Sequence, residues 1–121
     1  MPIIRALAFK DGMQSNLSFD EVIQEMAEAD FAISDSDFDT LKTWLKSQVN
    51  PTLWVHEQYE LEEKFWVVAT LESSCLYFNF IEEGWGWGKF KESGVIEKYH
   101  WEQEELHEAF IWRNKEQLIE S

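Results

Sequence analysis

Cysteine is almost absent from this chain of 121 residues, where Cys75 stands alone. A single thiol excludes an internal disulfide and a cysteine zinc cluster, and a reducing, cytoplasmic setting is the expectation. Glycine (5) and proline (2) are scarce as well, and no low-complexity tract, internal repeat or domain linker interrupts the sequence. Long apolar runs are missing too. None approaches the ~20 residues that span a bilayer, and the opening MPIIRALAFKDG has a short apolar run with no small-residue cleavage site after it, so no secretory signal is expected. Without such a signal, the glycosylation pattern Asn16-Leu17-Ser18 is a chance match. Positive charge is the last shortage: 10 Lys and Arg face 24 Asp and Glu, a net charge of -14. Direct binding to nucleic acid or to an anionic membrane is thereby disfavoured, and a cationic partner is the natural complement.

Aromatic residues are plentiful: seven Trp, nine Phe and three Tyr. They supply large apolar area per residue, so a chain this charged can still bury a core. At this length one domain over residues 1–121 is expected, with roughly two-thirds of the unfolded surface buried.

Residues 3–10, IIRALAFK, read as a short strand ended by the turn signal Asp11-Gly12. Ser18 followed by Glu21 forms a capping box, with Leu17 and Val22 as its hydrophobic staple. Ser34 and Asp37, with Ile33 and Phe38, repeat the pattern, so helices are expected near 19–29 and 35–48. On the first, Phe19, Val22, Ile23, Met26 and Ala27 share a side opposite Asp20, Glu21, Gln24, Glu25 and Glu28. On the second, Phe38, Leu41 and Leu45 form the apolar stripe with Trp44 at its flank, and Asn50-Pro51 stops the helix. From Leu53 to Trp101 the period changes to that of strands: LWVHEQYEL, KFWVVATL, CLYFNFI, WGWGKF and VIEKYHW. Their short linkers imply antiparallel hairpins. KFWVVATL and CLYFNFI are apolar on both alternating sets, which predicts central strands covered on both faces, by helices or by a second copy of the chain. A third helix over 102–119 carries a stripe of Leu106, Phe110, Ile111 and Leu118, with His107 and Asn114 inside it and Trp112 on the charged side. The fold class expected is α+β: an antiparallel sheet of about four to six strands packed against two N-terminal helices and one C-terminal helix.

Several constellations invite chemistry. Asp35-Ser36-Asp37-Phe38-Asp39 opens like a calcium loop, but its sixth position is Thr40 instead of Gly and its twelfth is Lys46 instead of Glu. Aspartates crowding a first helical turn, where the dipole favours anions, account for it better. His56, His100 and His107, with Glu57, Glu97 and Glu104, lack ligand-motif spacing. Cys75, in a strand among aromatics, reads as a buried thiol. Gly84-Trp85-Gly86-Trp87-Gly88 lacks the lysine and hydroxyl of a phosphate loop. In a strand it turns both indoles to one face and leaves the glycine face open to close approach. The start MPII resembles the amino-terminal-proline tautomerases, a resemblance that implies Pro2 as general base. It covers about four residues, and the Trp-rich strands that follow are unlike the paired βαβ units of that family.

Residues 11–41 carry nine carboxylates and no Lys or Arg. Glu21, Glu25 and Glu28 stand at i, i+4 and i+7, where each like-charge pair costs about 0.2–0.5 kcal/mol. Segregated charge of this kind points to docking more than to solubility. The leading expectation is a non-enzymatic protein-binding module, an inhibitor or immunity-type protein capping a basic site, with Glu21, Glu25, Glu28, Asp35, Asp37 and Asp39 as its contact residues. No catalytic residue, metal or cofactor is assigned. The alternative is a small enzyme or ligand-binding domain with an aromatic pocket around Trp85, Trp87 and Trp112, beside His56 and His100. A homodimer is expected from the two-sided strands and from Trp112.

Overall fold

The computed structural model describes residues 16–59 and 63–120; for 99–103 and 114–120 it describes the backbone alone. The fold is α+β, with helices from both ends of the chain packed against one curled sheet. The elements run α1 (Phe19–Ile33), α2 (Phe38–Ser47), β1 (Gln48–His56), β2 (Phe65–Leu71), β3 (Ser74–Asn79), β4 (Gly84–Lys89), β5 (Val95–Ile96), β6 (Lys98–Glu104) and α3 (Leu106–Glu120). The strand predicted over residues 3–10 lies outside the described residues.

Strand order is β5-β1-β2-β3-β4-β6. The strands β1 to β4 form an antiparallel meander, β4 pairs antiparallel with β6, and β5 pairs parallel with β1. Only Glu97 separates β5 from β6, so one bent stretch of chain joins the two edges. The amide of Glu97 bonds Lys89 O at 2.8 Å on one side, while Val55 N bonds Gly94 O at 3.0 Å on the other. The parallel pairing follows from parity: in a meander of five segments the first and the last run the same way, so closure joins them in parallel.

Closure explains the two-sided strands. The apolar side chains on one face of the curl pack on one another across its interior, while those on the other face meet the helices. A second copy is therefore not needed to cover Phe65, Val67, Ala69, Cys75 and Tyr77, each at most 1% exposed.

The helix grammar is partly as expected. Ser18 caps α1 with a complete capping box, its Oγ accepting from Glu21 N and its own amide donating to Glu21 Oε1. The helix then runs to Ile33, past the expected end at 29, and Ser34 closes it with Oγ donating to Phe31 O. Ser34 is thus a C-terminal residue of α1, and the expected Ser34–Asp37 capping box does not form. Asp37 itself caps α2, its Oδ1 accepting from Thr40 N at 2.8 Å.

The packing face of α2 is rotated from the expected one, so that Trp44, expected at the flank, lies at its centre and Leu41 at its edge, partly buried against the core. Thr40, Trp44 and Ser47 are buried, whereas Phe38 and Leu45 are 74% and 60% exposed. Trp44 wins because its ring packs edge-on against Phe110 at 5.0 Å and its indole N–H donates to Asp30 Oδ1 at 2.6 Å. One large side chain with a satisfied polar end outweighs Phe38 and Leu45, which have none. The helix also passes straight into β1, and Pro51 sits where the β1–β2 register shifts between Gln48 and Thr52, a place that tolerates a residue without an amide hydrogen. On α3, Leu106, Ala109 and Phe110 are buried and Ile111 packs against them. The helix starts at Leu106, not 102, because β6 continues to Glu104.

Candidate functional site

The indoles organise the face on which the helices lie. Trp85 and Trp87 are 2% and 0% exposed. Trp85 Nε1 donates to Glu25 Oε1 on α1 at 3.2 Å, and Trp87 Nε1 donates to Ala109 O on α3 at 2.9 Å. Arg113 lies over the Trp87 ring at 5.3 Å and donates from Nη2 to Ser74 Oγ at 3.1 Å. Trp66 Nε1 donates to Leu17 O at 2.8 Å. Each indole buries a large ring and ties a helix or its entry to the sheet through its one polar atom. Trp112 is half-buried on the same helix as Arg113.

The glycines between those indoles serve the opposite face. A Cβ on Gly88 would lie 2.7 Å from Ile96 Cγ2 and 3.1 Å from Tyr77 Cε1, so the closing strand sits directly on β4. Tyr77, the cross-strand partner of Gly86, shares that interior with His56. His56 is 4% exposed and ringed by Tyr59, Phe65 and Tyr77 at 4.8–5.3 Å. Its Nδ1 accepts from Gln58 N at 3.2 Å, which leaves the ring proton on Nε2 to donate to Tyr77 Oη at 3.1 Å. Burial pushes its pKa down to about 4, so at neutral pH it is an uncharged core histidine. Burial also pushes the Cys75 thiol up to about 12, far from a nucleophile.

His56 and the pair Trp85/Trp87 therefore lie on opposite faces of the sheet, and no one pocket unites them. The side chain of His100 lies outside the described residues, and His107 is half-buried. Among the described residues no three His, Cys, Asp or Glu side chains gather in a way that could hold a metal ion.

The acidic residues divide into two groups. Glu21 and Asp37 each serve a helix cap, and Glu25 receives the Trp85 indole while half-buried. Burial raises the Glu25 carboxyl above its ordinary value, the Trp85 N–H pulls it back, and Glu105 and Glu28 push it up further. Glu28, Asp35 and Asp39 support neither a cap nor an indole. All three are exposed, and Glu28 only accepts from Gln24 at 3.1 Å on its own helix. Glu21 and Asp37 are exposed as well. Nothing in the sequence pattern marks Asp30, whose Oδ1 also accepts from Gln48 Nε2 at 2.9 Å and so joins α1, α2 and β1 at one atom. No helix among the described residues is long and apolar enough to cross a membrane. No family model, no curated protein and no solved structure matches this chain.

Proposed function

We propose that this chain is a non-enzymatic binding protein whose acidic α1–α2 segment caps a basic site on a partner protein, in the manner of an inhibitor or immunity protein. One observation carries the reading: residues 16–41 hold eight carboxylates and no Lys or Arg, and Glu21, Glu28, Asp35, Asp37 and Asp39 are all exposed. Two of these are used by helix caps, and Asp39 stands in the first turn of α2, where the helix dipole favours an anion; Glu28 and Asp35 support neither a cap nor an indole, and no Lys or Arg within the segment offsets their charge. A surface of this kind gains its return in association, where it steers a cationic partner and is repaid on contact. A nuclease or another nucleic-acid-binding protein fits, because the cations that hold phosphate are what such a surface complements.

Affinity capture at low salt, followed by measurement of the captured protein's Kd as salt is raised, tests the reading. The expected partner is basic, and its binding weakens steeply with salt. An acidic partner, or binding that salt leaves unchanged, overturns it.

A further inference from the structure

The flank of α1 opposite the glutamates carries a second feature. Val22, Met26, Ala29 and Ile33 point into the core, and about 100° around the helix from that line stand Ile23, Ala27 and Asp30, again at i, i+4 and i+7. Together with Met26 they form one wall of an open groove of about 430 Å³, whose other wall is Gln48, Val49, Asn50 and Pro51 at the irregular start of β1. Its lining mixes apolar Ile23, Met26, Ala27, Val49 and Pro51 with polar Asp30, Gln48 and Asn50. Ile23 is 43% exposed, and Phe19 one turn earlier is 51% exposed beside Trp66 at 5.9 Å, so the apolar surface continues past the mouth of the groove.

Charge decides what fits. Asp30 is the one charged residue in the lining, which holds no Lys or Arg. Asp30 lines the groove with Oδ1 held by Trp44 and Gln48, and among the described residues nothing donates to its Oδ2. An anionic occupant is repelled by Asp30, a purely apolar one leaves its carboxylate without a counter-charge, and a second copy of a chain with net charge -14 brings like charge to like. From Ile23 to Asp30 the groove follows α1 for roughly 10 Å, the length of two turns of a partner helix and enough for anchors at i, i+3 or i+4, and i+7. We propose that this groove binds an amphipathic cationic helix of a partner protein, its apolar side chains seated between Ile23, Ala27 and Val49 and a Lys or Arg reaching Asp30. The groove lies on a different flank of α1 from Glu21, Glu25 and Glu28, and its occupation is independent of the capping function above.

The probe is a synthetic helical Leu/Lys peptide of about two heptads, titrated into the isotope-labelled full chain at physiological salt, with Kd from anisotropy and the contact surface from amide shifts. Expected are shifts at Ile23, Ala27, Val49 and Asn50. A Ser/Lys peptide of equal charge is expected to bind about tenfold more weakly, and Ile23→Ser and Ala27→Trp, both at exposed positions, to weaken the Leu/Lys peptide by about tenfold. The triple variant Glu28→Gln, Asp35→Asn, Asp39→Asn is expected to change that Kd by less than about threefold, since its charges lie off the groove. Failure of the Leu/Lys peptide to bind, equal binding by the Ser/Lys peptide, unchanged affinity in both groove variants, or shifts centred on Glu21 and Glu28 would overturn the proposal. Groove shifts that grow with protein concentration alone would assign it to a second copy instead and equally overturn it.

Discussion

Replacing Gly88 by alanine tests the closure of the sheet at a single atom. The added Cβ would stand 2.7 Å from Ile96 Cγ2, 3.1 Å from Tyr77 Cε1 and 3.2 Å from Lys98 O. The first distance is shorter than packed carbon atoms allow, and Ile96, fully buried and β-branched in the closing strand, has little rotamer freedom with which to yield. Overpacking of this kind costs about 1–3 kcal/mol. For a chain of this length that corresponds to a fall in Tm of roughly 4–12 °C. Ile96→Ala removes the clashing methyl and by itself costs about 2–5 kcal/mol through the cavity it leaves. If the two residues meet as described, the double variant is less destabilised than the sum by at least about 1 kcal/mol. Denaturant unfolding followed by tryptophan fluorescence measures all four proteins. A Gly88→Ala protein as stable as the parent, or strictly additive costs, would refute the contact and with it the closure of β5 onto β4.

Three further outcomes follow from the same geometry. With its folded pKa near 4 against 6.5 when unfolded, His56 takes up protons only on unfolding, so stability is full above pH 6.5 and falls as pH drops towards 4; about 2 kcal/mol is lost between pH 7 and pH 5, and His56→Phe flattens that slope unless the assignment is wrong. Leu45→Lys, on the exposed side of α2, changes stability by less than about 0.5 kcal/mol, whereas Trp44→Ala costs about 3–5 kcal/mol; the opposite ranking in urea melts restores the stripe read from the sequence. Glu83 holds a left-handed backbone at φ 59° and buries Oε2 with no hydrogen-bond partner among the described residues, so Glu83→Gly raises stability by about 1 kcal/mol and the urea midpoint with it, and a lower midpoint contradicts the assigned strain.

What could be read from the sequence was whatever depends on neighbours. The Ser18–Glu21 box, the run of short hairpins and the turning of both WGWGK indoles to one face rest on interactions within a few residues or on the simple alternation of a strand. The facing of α2 was not legible, because Phe38, Leu41 and Leu45 satisfy helical periodicity as well as Thr40, Trp44 and Ser47 do. The choice is made by Asp30 and Phe110, 14 and 66 residues from Trp44. Closure was illegible for the same reason: it rests on two residues, Val95 and Ile96, pairing with Val55 and His56 some 40 positions earlier. In the acidic segment, spacing alone put Glu25 beside Glu21 and Glu28 as an equal contact residue. Only the fold brings Trp85 to Glu25 and so separates the carboxylate that holds α1 to the sheet from those that face solvent.

The most direct measurement of the central claim is the salt dependence of Kd for the captured partner, compared between the parent chain and the isosteric variant Glu28→Gln, Asp35→Asn, Asp39→Asn. These exposed side chains keep their shape and lose their charge, and none supports a cap or an indole, so the fold is retained. A steep fall of log K with log salt is expected for the parent. For the variant the expected slope is shallower and the affinity about tenfold or more lower at low salt. Parallel slopes with equal affinities would place the partner elsewhere on the molecule and contradict the assignment of the acidic α1–α2 face.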